Sequence, residues 1–179
     1  MLHISEIRTG KPEDQRTALE HKVHDILHEL EIPYHWVDND SVSSMEECVE
    51  ISKILGAEIR KSILLCNRQK TSFYLLVLPA EKSFDAKAFS KVMEVPRLSF
   101  ASSELMEKHL GVTPGAATIM GLINDNAGAV QLVIDQEVAN NEFFACNPGA
   151  NTSHLKMKTE DLLSEFLPHI GHPPQIVSL

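Results

Sequence analysis

Cysteine is scarce: Cys48, Cys66 and Cys146 are the only three in 179 residues, and no two form a Cys-x-x-Cys pair. An odd, sparse count argues against a disulfide framework and for a reducing compartment. Membrane-length apolar runs are missing too, since no window approaches the roughly 18 residues that a span requires. Met1 to Glu6 shows no basic stretch followed by an apolar one, so no signal peptide is expected and a cytoplasmic location is. There is no Gly-x-Ser-x-Gly elbow, no Walker loop and no dinucleotide fingerprint, which removes the commonest hydrolase, nucleotide-triphosphate and dehydrogenase signatures. Internal repeats and low-complexity stretches are also absent. What remains is a chain of ordinary globular composition, 43% hydrophobic and 23% charged, long enough for one domain with its own core.

Positive charge is in deficit, with 16 Lys and Arg against 25 Asp and Glu for a net charge of −9. The deficit is uneven. Residues 1–52 carry 4 basic and 12 acidic residues, and residues 109–179 carry 2 and 7, whereas residues 53–108 carry 10 and 6. An acidic shell around a basic middle cannot grip a long duplex through its phosphates. It can still hold a few nucleotides locally.

Hydrophobic periodicity and punctuation predict a mixed α/β domain over 13–168, with a central mixed sheet flanked by helices, a lead-in over 1–12 and a loose tail over 169–179. Pro12, Glu13 and Asp14 open a helical pattern whose apolar stripe is Leu19, Val23, Ile26, Leu27 and Leu30, stopped by Pro33. A short strand follows over 34–37. Ser43 and Ser44, each three residues before a glutamate, start a helix that ends at Gly56. Strands are predicted over 59–66 and 73–78, the second apolar on both faces as in a covered sheet. Helices over 84–93 and 103–110 flank a strand over 97–100. A hairpin is expected from strands 119–123 and 130–134 around Asn124 to Gly128. A further strand pair turns at Asn147-Pro148-Gly149, and Thr159 caps a last helix.

Several residue groups carry possible chemistry. His21, His24 and His28 stand at helical spacing but opposite the apolar stripe, so a solvated face outweighs a metal site. Cys146 with His154 is the only local thiol–imidazole pair, and a buried, inert cysteine is the commoner reading. Lys61 begins an apolar strand, either as a snorkelling surface charge or as a cation aimed into a pocket. Gly111, Thr113, Pro114 and Gly115, with Gly121 beyond, make a sharply bent backbone whose amides could face an oxyanion, or simply a helix cap and turn.

Gly111 to Asp125 and Val130 to Asp135 together resemble the YbaK/prolyl-tRNA-synthetase-associated editing domains, closest to the free-standing ProXp-ala group. Arg60 to Leu65, Phe73 to Pro79 and Asn147 to Thr152 match in the same order, so the resemblance runs from about His21 to Leu167. It implies an aminoacyl-tRNA deacylase of mixed α/β fold without metal or cofactor. Its substrate would be the acceptor end of mischarged tRNA, most specifically Ala-tRNA(Pro), with prolyl-tRNA synthetase as a possible partner. By the resemblance, Lys61 positions the terminal nucleotide and the aminoacyl group, and the amides around Gly115 face the reacting carbonyl. Ser62, Thr113, Pro114, Ala116, Thr118, Ile119, Gly121, Asn147 and Asn151 would line the substrate. The nucleophile would be a water assisted by a ribose hydroxyl.

The chain departs from the family pattern at Ile119, where the loop usually has proline, at Asn147, where histidine is common, and at Ser62, where close relatives often carry asparagine. Two alternatives therefore stand beside alanine editing. One is a deacylase for another small amino acid such as serine; the other is a module that binds tRNA or a synthetase without hydrolysis.

Overall fold

The computed structural model describes residues 1–179. Two sheets organise it. The smaller is antiparallel, in the order β1-β7-β6, from β1 (Tyr34–Asp38), β6 (Phe143–Cys146) and β7 (Ser153–Lys158). The larger is mixed, in the order β4-β2-β3-β5-β8, from β2 (Lys61–Cys66), β3 (Phe73–Leu78), β4 (Ser99–Phe100), β5 (Val130–Asp135) and β8 (Gln175–Val177). The amide of Arg60, just before β2, donates to Ala145 O of β6 at 3.0 Å and stitches the sheets together. The expected single central sheet is thus divided in two, while the mixed α/β class holds.

Helix α1 (Ala18–Glu29) starts later than Pro12 suggests. Thr17 and Glu20 form a reciprocal capping box, Glu20 N to Thr17 Oγ1 at 3.2 Å and Thr17 N to Glu20 Oε2 at 3.0 Å, and this outcompetes the proline signal. Residues before it are pinned to β1, with Arg16 bidentate on Asp38 at 2.7 and 2.8 Å. His24 corrects the solvated-face expectation. It is buried, its Nδ1 lies 2.7 Å from the Tyr34 hydroxyl, and burial pushes the imidazole down to about 4. The helix is wrapped on two sides, by the core and by β1, so one apolar stripe did not define its buried face.

Helix α2 (Cys48–Leu55) ends at Gly56 in the left-handed region, as predicted. Helices α3 (Ala86–Met93) and α4 (Ser103–Leu110) are capped by Asp85 and Ser102, and α4 closes at Gly111. The predicted strand over 119–123 is instead a 3-10 helix, Ile119–Asn124, capped by Thr118. Its apolar run is too short for periodicity to distinguish helix from strand. Accordingly there is no hairpin, and β5 runs parallel to β3. A five-residue helix, α5 (Gln136–Asn140), follows β5 directly.

The last helix passes through α6 (Thr159–Asp161), a π turn (Leu162–Phe166) and α7 (Leu167–His169). Thr159 is its first residue rather than its cap, and its hydroxyl is buried without a partner. The tail is not loose: β8 adds to β5 in parallel. His172 Nε2 lies 2.9 Å from Asp125 Oδ2 and fastens the approach to β8. No helix is long and apolar enough to cross a membrane.

Candidate active site

Lys61 stands at the first position of β2, half-buried, paired with Leu78 of β3. Its Nζ donates to the carbonyl of Lys82 at 2.6 Å, so the ammonium is held beside the protein rather than released to bulk water. The turn that offers this carbonyl is itself clamped. Lys82 Nζ reaches Asp135 Oδ2 at 2.9 Å, Leu179 O at 2.9 Å and Glu137 Oε2 at 3.3 Å.

Opposite Lys61, the chain leaves α4 at Gly111 and bends through Thr113 to Ala117. Gly115 has φ +88°, a conformation that side chains rarely adopt. The amides of Gly115 and Ala117 donate to no acceptor within the protein. The loop is anchored from below: Thr118 Oγ1 donates to Asn147 O at 2.7 Å and Asn147 Nδ2 to Ala117 O at 3.4 Å. Asn151 Nδ2 donates to Val42 O at 2.8 Å and ties in the segment before α2.

These segments enclose a cavity of ≈ 180 Å³ lined by Val42 to Met45, Cys48, Ile59 to Ser62, Gly115, Ala117, Asn147 and His154. A wider recess of ≈ 570 Å³ adjoins it and shares Lys61, Ser62, Gly115 and Ala117 as a common wall. Apart from Ser83 the remaining wall of that recess is apolar, including Phe84, Phe100, Met106 and Pro114. A further hollow of ≈ 670 Å³ beside α2 contains neither Lys61 nor a loop residue.

Of the residues singled out from sequence, Lys61, Ser62, Gly115 and Asn147 converge on the small cavity, and Pro114 lines the recess. Thr113 is exposed and lines neither. Ala116 and Thr118 are buried beneath the loop. Ile119 and Gly121 are corrections: both lie in buried interior, where Gly121 permits the close approach of Leu110, and neither touches the cavity. Asn151 acts at one remove, by holding Val42.

Sequence reasoning missed Arg60, Ala117 and the Val42–Met45 segment. The serine–glutamate spacing there signalled only a helix start, whereas α2 begins at Cys48 without a side-chain cap, and Ser43 N and Ser44 N donate to Glu47 Oε2 at 2.6 and 3.1 Å to close a turn ahead of it. It also assigned His154 only as a partner for Cys146. That pair is not a nucleophilic couple, because burial pushes the Cys146 thiol up to about 12 and the His154 imidazole down to about 4. Lys61 and the unpaired amides of Gly115 and Ala117 belong to residues that line the wall shared by both hollows.

Residues 39–164 match the family of aminoacyl-tRNA editing domains. The prolyl-tRNA editing protein ProX of Acetoanaerobium sticklandii is 29% identical over 136 residues, covering 76% of this chain and 83% of that protein. The fold matches a solved candidate trans-editing enzyme for prolyl-tRNA synthetase at a TM-score of 0.66, with 15% identity over 92% of this chain and 98% of that one. A scaffold used for epitope grafting by computational design matches at 0.67, with 14% identity over 92% and 97% of the two chains. The family match and the similarity to an editing protein mark the class as aminoacyl-tRNA deacylase. The chain belongs to the aminoacyl-tRNA editing domain family.

Proposed function

We propose that this protein is a trans-editing enzyme of the prolyl system, hydrolysing alanine from mischarged tRNA(Pro). The observation that carries the reading is the ≈ 180 Å³ cavity whose lining includes Lys61 together with Gly115 and Ala117, the two residues whose amides are unpaired. A synthetic site shaped for proline excludes smaller alanine weakly, because a missing methylene is worth only about 1–3 kcal/mol. A second, smaller cavity supplies the missing discrimination by admitting alanine and turning proline away.

The two compartments divide the substrate between them. The aminoacyl group enters the small cavity, and the terminal nucleotide lies in the apolar recess against Phe84 and Phe100, whose ring centroids are 5.7 Å apart. The ester then falls on the shared wall. There the amides of Gly115 and Ala117 take the developing oxyanion and Lys61 fixes the end of the tRNA. The attacking water is assisted by a ribose hydroxyl of the substrate, so no protein base is required.

A panel of mischarged tRNAs tests this. Release of alanine from tRNA(Pro), with Pro-tRNA(Pro) spared, is the expected outcome. Preference for a seryl ester moves the specificity to another small amino acid, and binding without release of any amino acid rejects the enzyme reading.

A further inference from the structure

His154 sits on β7 with 2% of its surface exposed, and it lines the small cavity. Its Nδ1 lies 2.8 Å from Asn39 Oδ1. The orientation of that amide is fixed independently, because Asn39 Nδ2 donates to Asp40 O at 2.7 Å and to Asn151 O at 3.0 Å. Flipping it would set its oxygen against two carbonyls. Asn39 Oδ1 is therefore the acceptor, His154 Nδ1 carries the proton, and the lone pair of a neutral ring lies on Nε2. Nε2 has no partner within the protein.

The rest of the cavity is rich in donors. Lys61 and the free amides of Gly115 and Ala117 can only donate. Among the acceptors, Asn147 Oδ1 is taken by Gly149 N at 2.8 Å, Ser44 Oγ by Glu47 N at 3.3 Å, and Val42 O by Asn151 Nδ2 at 2.8 Å. Ser43 Oγ is turned to Glu47. Apart from the Ser62 hydroxyl, which can donate or accept, His154 Nε2 is the unengaged side-chain acceptor.

An esterified amino acid brings an α-ammonium group into this space, and three N–H donors confined among donors need an acceptor. Resting on the deacylase reading above, we propose that His154 Nε2 accepts a hydrogen bond from the α-ammonium of the esterified amino acid. It thereby selects aminoacyl over plain acyl esters and orients the carbonyl toward the loop amides. Burial holds the imidazole in its neutral form, so the ring adds no further positive charge beside Lys61 and the substrate.

Two measurements test the role. The first compares alanyl-tRNA(Pro) with propionyl-tRNA(Pro), which has the same carbon skeleton without the ammonium. In His154→Leu, kcat/KM for the alanyl ester should fall about ten-fold or more, as for loss of a hydrogen bond to a charged group, while the propionyl ester changes less than two-fold. Equal losses on both esters assign His154 a structural role only. The second measurement needs no variant and covers the case in which His154→Leu misfolds. Nitrogen NMR of the wild-type imidazole should show the Nδ1–H tautomer, and Nε2 should move upfield with 3′-deoxy-3′-(alanylamino)adenosine but not with its propionyl counterpart. A proton on Nε2 in the free protein, or an Nε2 signal indifferent to millimolar alanyl analogue, overturns the proposal. A wild-type protein that hydrolyses Ala-tRNA(Pro) with a silent Nε2 removes His154 alone. One that hydrolyses nothing, yet shows the Nε2 shift, removes hydrolysis and keeps the contact.

Discussion

Lys61 and Lys82 meet through unlike groups: the ammonium of the first donates to the main-chain carbonyl of the second at 2.6 Å. Two like charges are thereby brought onto one turn without facing each other, because Lys82 sends its own ammonium the other way, to Asp135, Glu137 and the carbonyl of Leu179. The cation in the cavity wall is thus aimed by a turn that Leu179 helps to fasten.

Replacing Lys61 with alanine should lower kcat/KM roughly 10–100-fold, as for loss of a charge-assisted hydrogen bond that fixes the end of the tRNA. The thermal midpoint should stay within a few degrees, since the side chain is half-buried at a strand end and holds up no core. Deacylation assays beside melting curves check this, and full activity in the variant removes Lys61 from the mechanism.

Asp135 is 1% exposed, receives Lys82, and caps α5 through Glu137 N at 2.9 Å. Asp135→Asn should cost about 1.5–3 kcal/mol in chemical denaturation, the range for hydrogen bonds to charged groups. It should also reduce kcat, because the turn carrying the Lys82 carbonyl is released. A stability loss with unchanged kcat separates the clamp from catalysis.

Phe100 is 67% exposed, unusual for a ring, and lines the recess beside Lys61. Stacking of a base on an aromatic ring is worth about 1–3 kcal/mol, so Phe100→Ala should raise KM for charged tRNA by roughly ten-fold with kcat and stability little changed. Phe100→Trp should restore it. Steady-state kinetics on the three proteins decide the matter.

Asp125 ties the tail to the turn before β5. Burial opposes its ionisation, but His172 and the amides of Val130 and Ala129 outweigh that and hold the carboxyl below its usual range. A depressed folded-state value contributes stability above the unfolded pKa of about 3.9, and that contribution is lost as pH falls through the lower folded value. Denaturation midpoints should therefore drop on acidification below about pH 4. Asp125→Asn should remove this part of the acid dependence and expose β8 amides to faster hydrogen exchange.

Gly121→Ala would place a Cβ 2.7 Å from Leu110 Cβ and 3.0 Å from Leu110 O. The backbone oxygen cannot yield as a flexible side chain would, so the change should cost about 1–3 kcal/mol by overpacking. Its effect on activity should be indirect, through the seating of the loop after α4, and thermal unfolding will register it before KM does.

Local chemistry wrote much of this into the sequence. Ser102 and Gly111 bound α4, Gly56 ends α2, and the apolar runs of β2 and β3 announce covered strands, because caps and alternation depend on neighbours a few residues apart. The run at Ile119 and the face of His24 were ambiguous for the same reason: their states were chosen by packing against Leu110, Tyr34 and Trp36. The cavity itself belongs to tertiary structure. Lys61 and Lys82 are 21 residues apart, and His154 and Asn39 are separated by 115. Only closure of the chain over those distances puts an ammonium, two free amides and a neutral imidazole around one small space, since directed hydrogen bonds between remote segments leave no periodic trace in sequence.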